Sequence, residues 1–266
     1  MSYVTSNKTK TNKIYPWLDA IALLAWGSLL LKYTITGQYR LLIHPNYFGL
    51  VLASGITLLL LGIVKIAIIA NNRQLEPENN QHLTLFTPGF SSSLLLVVAI
   101  AGFVVPPTIL TSQTALQRRV ADVPITRSQV QSFRANTKPE SRSLIEWVRT
   151  YDAYPEPDAY QGQPAKISGF VLHLEELPDN YFLLSRFVIT CCAVDAYPIG
   201  IPIQVETSRR DYPPDTWLEI EGEMITVSLP AKDNNSSSTT TEKRQLVLKA
   251  KAIAEIPTPS DPYNYQ

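Results

Sequence analysis

Apolar residues are unevenly spread along this chain. Three long blocks fall within the first 110 residues, and a period of two takes over after residue 164. The first block is WLDAIALLAWGSLLL at 17–31, flanked by Tyr15 and Tyr33. The second is YFGLVLASGITLLLLGIVKIAIIA at 47–70, and the third is FSSSLLLVVAIAGFVVPPTIL at 90–110. A bilayer core of about 30 Å needs roughly 20 apolar residues of helix. The pattern therefore predicts three transmembrane helices, at about 15–33, 47–70 and 89–110. Pro106-Pro107 should stop the third, because proline lacks a donor and clashes with the preceding turn. The first block follows Lys8, Lys10 and Lys13, as a signal peptide would. Its length and the poor cleavage site at Lys32-Tyr33-Thr34 favour a retained span.

Charged positions within the blocks are few. Lys65 lies six residues from the end of the second block and is expected to snorkel to the interface. Asp19, at the start of the first, is expected to be interfacial, and His44 is expected to be solvated in a loop. Short-loop Lys/Arg bias sets orientation. Lys8, Lys10, Lys13, Lys65 and Arg73 fall on one side, and Lys32, Arg40, Arg118 and Arg119 on the other. The N-terminal lysines favour an N-terminus inside. The expectation is a multi-pass protein of the inner (plasma) membrane, in contact with the lipid bilayer, with residues 112–266 extracytoplasmic.

Residues 112–140 are polar and without a clear period, with Arg118, Arg119, Arg127 and Arg134 spread along them, and read as a linker, with a helical start near the membrane left open. Ser143 followed by Glu146 is a capping box. Leu144, Trp147, Val148 and Tyr151 follow at helical spacing, which predicts a short helix over 142–152. Five strands are then predicted, at 166–174, 181–191, 199–205, 217–227 and 245–253. Pro202 in the third marks an edge or a bulge. Gly169 and Gly222 sit where strands would coil sharply. The stretch 231–241 (AKDNNSSSTTT) reads as a low-complexity hairpin loop. The predicted fold class is a membrane α-helical part at 1–111 and, beyond the 112–140 linker, a mainly β domain at 141–258. The latter resembles a five-stranded OB-like barrel, with a small sandwich as the rival. A tail at 259–266 follows.

Charge narrows the function. Residues 1–111 carry seven Lys/Arg against three Asp/Glu, and residues 112–266 carry sixteen against twenty. A net-acidic soluble part disfavours a nucleic-acid partner, which usually meets a basic surface. No glycine-rich phosphate loop, HExxH or GxSxG occurs. Glu175-Glu176 read as solvated turn residues. The chain is not expected to be an enzyme.

The candidate chemistry is Cys191-Cys192, the only two cysteines, followed by Asp195. If the second strand runs through them, alternation puts Tyr181, Leu183, Ser185, Phe187, Ile189 and Cys191 on one mostly apolar face. Cys191 is then expected near the core, and Cys192 opposite, with Thr190 and Arg186. Four roles stay open. Both thiols could only pack. An adjacent disulfide would be strained, since neighbouring Cα atoms are about 3.8 Å apart and bridges span about 4.4–6.8 Å. One cysteine could bridge to another chain. Or Cys191, Cys192 and Asp195, with His173 on the first strand, could hold a zinc-like metal ion. The cofactor is otherwise unknown.

Three N-terminal spans, Trp147 on a helix, Tyr160-Gln161-Gly162-Gln163 ahead of Ile167-Ser168-Gly169-Phe170-Val171, and the run Arg186-Phe187-Val188-Ile189-Thr190-Cys191-Cys192-Ala193-Val194-Asp195-Ala196 with a following proline form a familiar set. The chain resembles the YcgQ-like family of bacterial membrane proteins of unknown function over most of its length. Its signature positions map to Gly169, Phe170, Arg186, Phe187, Cys191, Cys192 and Asp195, none with an assigned role. Ala193-Val194-Asp195 stands where the resemblance leads one to expect alanine-alanine-aspartate. The resemblance implies a small accessory subunit working beside a multi-spanning permease. Its β domain would bind or gate a ligand outside the membrane. The alternative is a metal- or redox-sensing membrane protein using Cys191, Cys192 and Asp195.

Overall fold

The computed structural model describes residues 14–71, 89–118, 138–232 and 240–263. Lys8, Lys10, Lys13, Arg73 and Arg119, which carry most of the orientation argument, lie outside the described residues, as do Arg127 and Arg134. The chain divides into two compact units, Met1–Pro107 and Thr108–Gln266.

The first unit contains α1 (Ile14–Thr36), α2 (Phe48–Ala70) and α3 (Phe90–Val104). α1 stops at Gly37, whose φ of 72° is the left-handed conformation that ends helices cheaply. α2 starts after a short 3-10 turn in which His44 Nδ1 accepts the Asn46 amide at 3.2 Å. His44 is thus a cap rather than only a solvated loop residue. α1 and α2 are long and apolar enough to cross a membrane. Their apolar surface is largely uncovered within the chain: Leu50 is 63% exposed, and Leu60, Ile63 and Val64 are also exposed. The third expected span is a shorter helix. Fifteen residues of α3 rise only about 22 Å. It stops at Val104, one residue ahead of the extended Val105 that precedes Pro106-Pro107, because the residue before a proline is pushed out of helical geometry.

Small residues let these helices approach. A Cβ on Gly62 would lie 2.7 Å from Leu24, and one on Gly102 would lie 2.8 Å from Leu29. Lys65 is paired with Asp19. Its Nζ stands 2.7 Å from Asp19 Oδ2, and the Ser92 hydroxyl donates to Oδ1 of the same carboxylate. The three helices are thus joined by one polar cluster, and Asp19 is a pairing partner. Where water is scarce, a neighbouring opposite charge is the better solvent for an ammonium.

The second unit is built on five strands: β1 (Pro164–Leu172), β2 (Tyr181–Val188), β3 (Tyr197–Gln204), β4 (Trp217–Lys232) and β5 (Thr240–Glu255). Pairing runs β1-β2-β3-β5-β4, and β4 pairs back onto β1, so the strands close on themselves. All pairs are antiparallel except β3 with β5, which meet only at Ile203↔Leu248 and Gln204↔Lys249. Most of β3 therefore has a free side, and that is where Pro198 and Pro202, which lack an N–H, are tolerated. β4 and β5 register slips at Glu221/Gly222, a bulge at one of the expected glycines. There a Cβ would collide with the Lys249 carbonyl oxygen. At Gly169 a Cβ would lie 2.5 Å from the Ser185 carbonyl oxygen. β4 and β5 pair as far as Lys232↔Thr240. The hairpin thus runs well into the stretch expected to be loop, and residues 233–239 lie outside the described residues.

α4 (Ser112–Gln117) and α5 (Leu144–Ala153) complete this unit. The capping box at α5 is formed as expected. Ser143 Oγ accepts the Glu146 amide, and Glu146 Oε2 accepts the Ser143 amide at 2.7 Å. Leu144, Ile145 and Trp147 then enter the core with Ile167, Val171, Phe182, Leu184, Ile220 and Leu248.

β2 corrects two expectations. The core takes Phe182, Leu184 and Val188, the face opposite to the one expected. Every residue of β2 is nevertheless buried. The other face is covered: Phe187 stacks on Phe170 at 5.5 Å and meets Tyr263 edge-on at 6.4 Å. With both faces apolar, composition could not say which one points inward. The strand also ends at Val188, three residues before the cysteines, so its alternation does not reach them.

Candidate functional site

Ile189 is the last buried residue of the β2 run, and Thr190 and Cys191 are exposed. The chain then turns tightly, the Asp195 amide bonding to the Cys192 carbonyl at 3.0 Å. Asp195 closes the turn on itself. Its carboxylate accepts the amides of Thr190 at 3.3 Å, Cys191 at 2.8 Å and Cys192 at 3.1 Å. Three successive N–H groups around one carboxylate form an anion nest filled by the chain's own side chain. Both cysteines are free; Cys191 is exposed and Cys192 half-buried. The expectation that Cys191 lies near the core is overturned, because the β2 ladder stops at Val188.

The two sulfurs are 3.6 Å apart. Candidate ligand atoms of Cys191, Cys192 and Asp195 all lie within 4.8 Å of one another. His173 is placed elsewhere: its Nε2 bonds with the Tyr212 carbonyl at 2.9 Å, and it is not a member of this group. The electrostatics follow from the crowding. A hydrogen bond to the Asp195 carboxylate, then one to Cys192, holds the Cys191 thiol in its protonated form, raised to about 11. For Asp195, partial burial acts to raise the pKa. Hydrogen bonds from the Cys191 thiol and the amides of Cys191, Cys192 and Thr190 outweigh it, so the carboxyl is held below its ordinary value.

Arg118, just after α4, braces the turn. Its Nη1 donates to the Ala193 carbonyl at 3.0 Å and the Ala196 carbonyl at 2.6 Å, either side of Asp195. α4 is itself pinned: Asp215 accepts the Ser112 amide at 2.5 Å and its hydroxyl at 2.9 Å. Asp215 holds a φ of 68°, unusual for a residue with a Cβ. Sequence reasoning missed the roles of Arg118, Ser112 and Asp215. Neither period nor motif links residues so distant along the chain. The Pro213-Pro214 pair before Asp215 signals a turn but not a partner.

Gly169, Phe170, Arg186 and Phe187 form a second group on β1 and β2. Arg186 is buried. It donates through Nε to the Ser168 carbonyl at 2.8 Å and through Nη2 to Ser168 Oγ at 2.9 Å, and it lies 5.2 Å over the Trp217 ring. Burial lowers its pKa, and the Asp261 charge acts against that shift. The Phe170 and Phe187 rings stack, and Phe170 and the buried Arg186 cation both meet the Trp217 ring.

Compared with known families, residues 18–121 match the DUF1980 N-terminal domain and residues 136–266 match the DUF1980 C-terminal domain. The chain belongs to the DUF1980 family. That family is uncharacterised, so membership assigns no reaction. The break between the two matches, residues 122–135, falls within the stretch read as linker. No curated protein matches the chain.

Proposed function

We propose that this DUF1980 protein is a non-enzymatic accessory subunit of a multi-spanning permease. Its β unit, an OB-like barrel, captures a ligand at the Cys191–Asp195 turn. The observation that carries this is the turn itself: two sulfurs and a carboxylate, presented at the surface in a shape set by three amide bonds and by Arg118. In this role the helical unit crosses the inner (plasma) membrane three times. α3 is accommodated by local thinning of the bilayer, as short spans are. The N-terminal lysines support an extracytoplasmic β unit in this reading. The resemblance to YcgQ-like proteins supplies the permease as partner.

The test is purification of the tagged full-length protein from its own membranes, with identification of what comes with it. A multi-spanning transport protein at near-equal amount is expected. Recovery of the chain alone, under solubilisation that preserves known membrane complexes, would remove the accessory role.

A second reading is favoured by the 3.6 Å between sulfurs: a redox sensor that closes an adjacent disulfide. Mass spectrometry of thiols after mild oxidation separates the two. Capture predicts that both thiols stay free, and sensing predicts loss of both in one step.

A further inference from the structure

Resting on the capture role proposed above, we infer that Cys191, Cys192 and Asp195 form an open, exchangeable site for one thiophilic divalent cation of the zinc class. Two thiolates bound to a single zinc-like ion at about 2.3 Å in tetrahedral geometry stand about 3.8 Å apart. The two sulfurs already stand 3.6 Å apart, so closing on an ion needs only a small change. All three donor atoms lie within 4.8 Å of one another. The turn that carries them has its backbone fixed before any ion arrives, by the three amides on Asp195 and by Arg118 on the Ala193 and Ala196 carbonyls. Access is direct, because Cys191 is exposed and Val194, at the tip, is 84% exposed.

The ligand set also sets the class of ion. Two sulfur donors select a soft or borderline cation over magnesium or calcium. On binding, each S–H bond breaks, its proton leaves to solvent, and a metal–sulfur bond forms. The carboxylate adds a third bond without losing a proton. Two thiolates and one carboxylate leave the bound divalent ion with a local charge of −1 and a fourth tetrahedral position free. Structural zinc sites are closed by four protein ligands, whereas three with an open position let a further ligand enter. Through that position a second donor can begin to bind before the first three let go. The site is therefore suited to passing an ion on rather than keeping it.

The experiment uses the full-length protein in detergent, reduced with a phosphine so that no competing thiol is present. Cobalt(II) is titrated in first. One equivalent should bind, with a near-ultraviolet sulfur-to-cobalt charge-transfer band and visible bands of tetrahedral intensity. One equivalent of zinc(II) should abolish both. Cys191→Ser and Cys192→Ser should each weaken zinc binding by about 100-fold, and Asp195→Asn by about tenfold. His173→Ala should leave it unchanged, since that ring bonds with the Tyr212 carbonyl. Absence of the charge-transfer band in the unaltered protein overturns the inference without reference to any variant. So does zinc binding of unchanged affinity in a Cys191→Ser/Cys192→Ser double variant. A partner that copurifies with a chain unable to bind cobalt would end the ion site and leave the accessory role standing. A chain that binds cobalt but brings no partner would do the reverse.

Discussion

Asp195 carries both a charge and a shape, and two substitutions separate them. Asp195→Asn keeps one oxygen, enough for the Thr190 and Cys192 amides that share Oδ1, and loses the acceptor of the Cys191 amide, whereas Asp195→Ala leaves all three amides without an acceptor. The alanine variant should lose about 1–3 kcal/mol of stability by thermal melting, and the asparagine variant clearly less. Acidity gives a second readout. The folded-state carboxyl is held below its ordinary value. Its stabilising contribution is therefore present above the unfolded value, about 3.9, and is lost as pH falls through the lower folded value. Melting of the unaltered protein should drop more steeply below about pH 4 than melting of Asp195→Asn. An equal drop in both would remove this role. Cys191 teaches the limit of alternation as a guide. Parity holds only while the ladder continues, and β2 stops at Val188. Cys191→Ala should therefore cost less than about 0.5 kcal/mol, as at an ordinary surface position, where a core position would cost several times more.

At the scale of elements, most of the β unit was legible. Five strands and one capped helix lie where period two and the Ser143/Glu146 pair put them. The strand ends moved because pairing partners extend them: β4 and β5 support each other beyond the residues whose own alternation is clear, out to Lys232↔Thr240. The order β1-β2-β3-β5-β4 and the inward face of β2 were not legible, because each depends on partners far along the chain. The glycines were read as positions where strands coil sharply; the structure shows a bulge at Gly222 and, at both, close approach of backbone, to the carbonyl oxygens of Ser185 and Lys249. Backbone cannot swing aside as a side chain can. Gly169→Val and Gly222→Val should each destabilise the unit by about 1–3 kcal/mol or more in denaturant melts. Unchanged midpoints for both would mean that the strands separate there without cost.

At the scale of the whole molecule, the boundary moves. Charge and polarity read 112–140 as a linker, yet the β unit begins at Thr108 and includes α4. Only the contacts show this: Leu110 N–H to the Tyr263 hydroxyl at 3.0 Å, Ser112 to Asp215, and Arg118 to the cysteine turn. A fragment 108–266 should therefore melt higher than a fragment 138–266, by several hydrogen bonds at about 1 kcal/mol each. Equal midpoints would show that α4 is only a passenger. The Leu110–Tyr263 bond also bears on how the unit carries load. Leu110, two residues inside the start of the unit, and Tyr263, its last described residue, are fastened to each other, a knot that joins the two ends of the closed sheet. Tension applied between those two points, as in a single-molecule pulling experiment with handles at 110 and 263, is met first by the knot. The strands feel the force only after it opens.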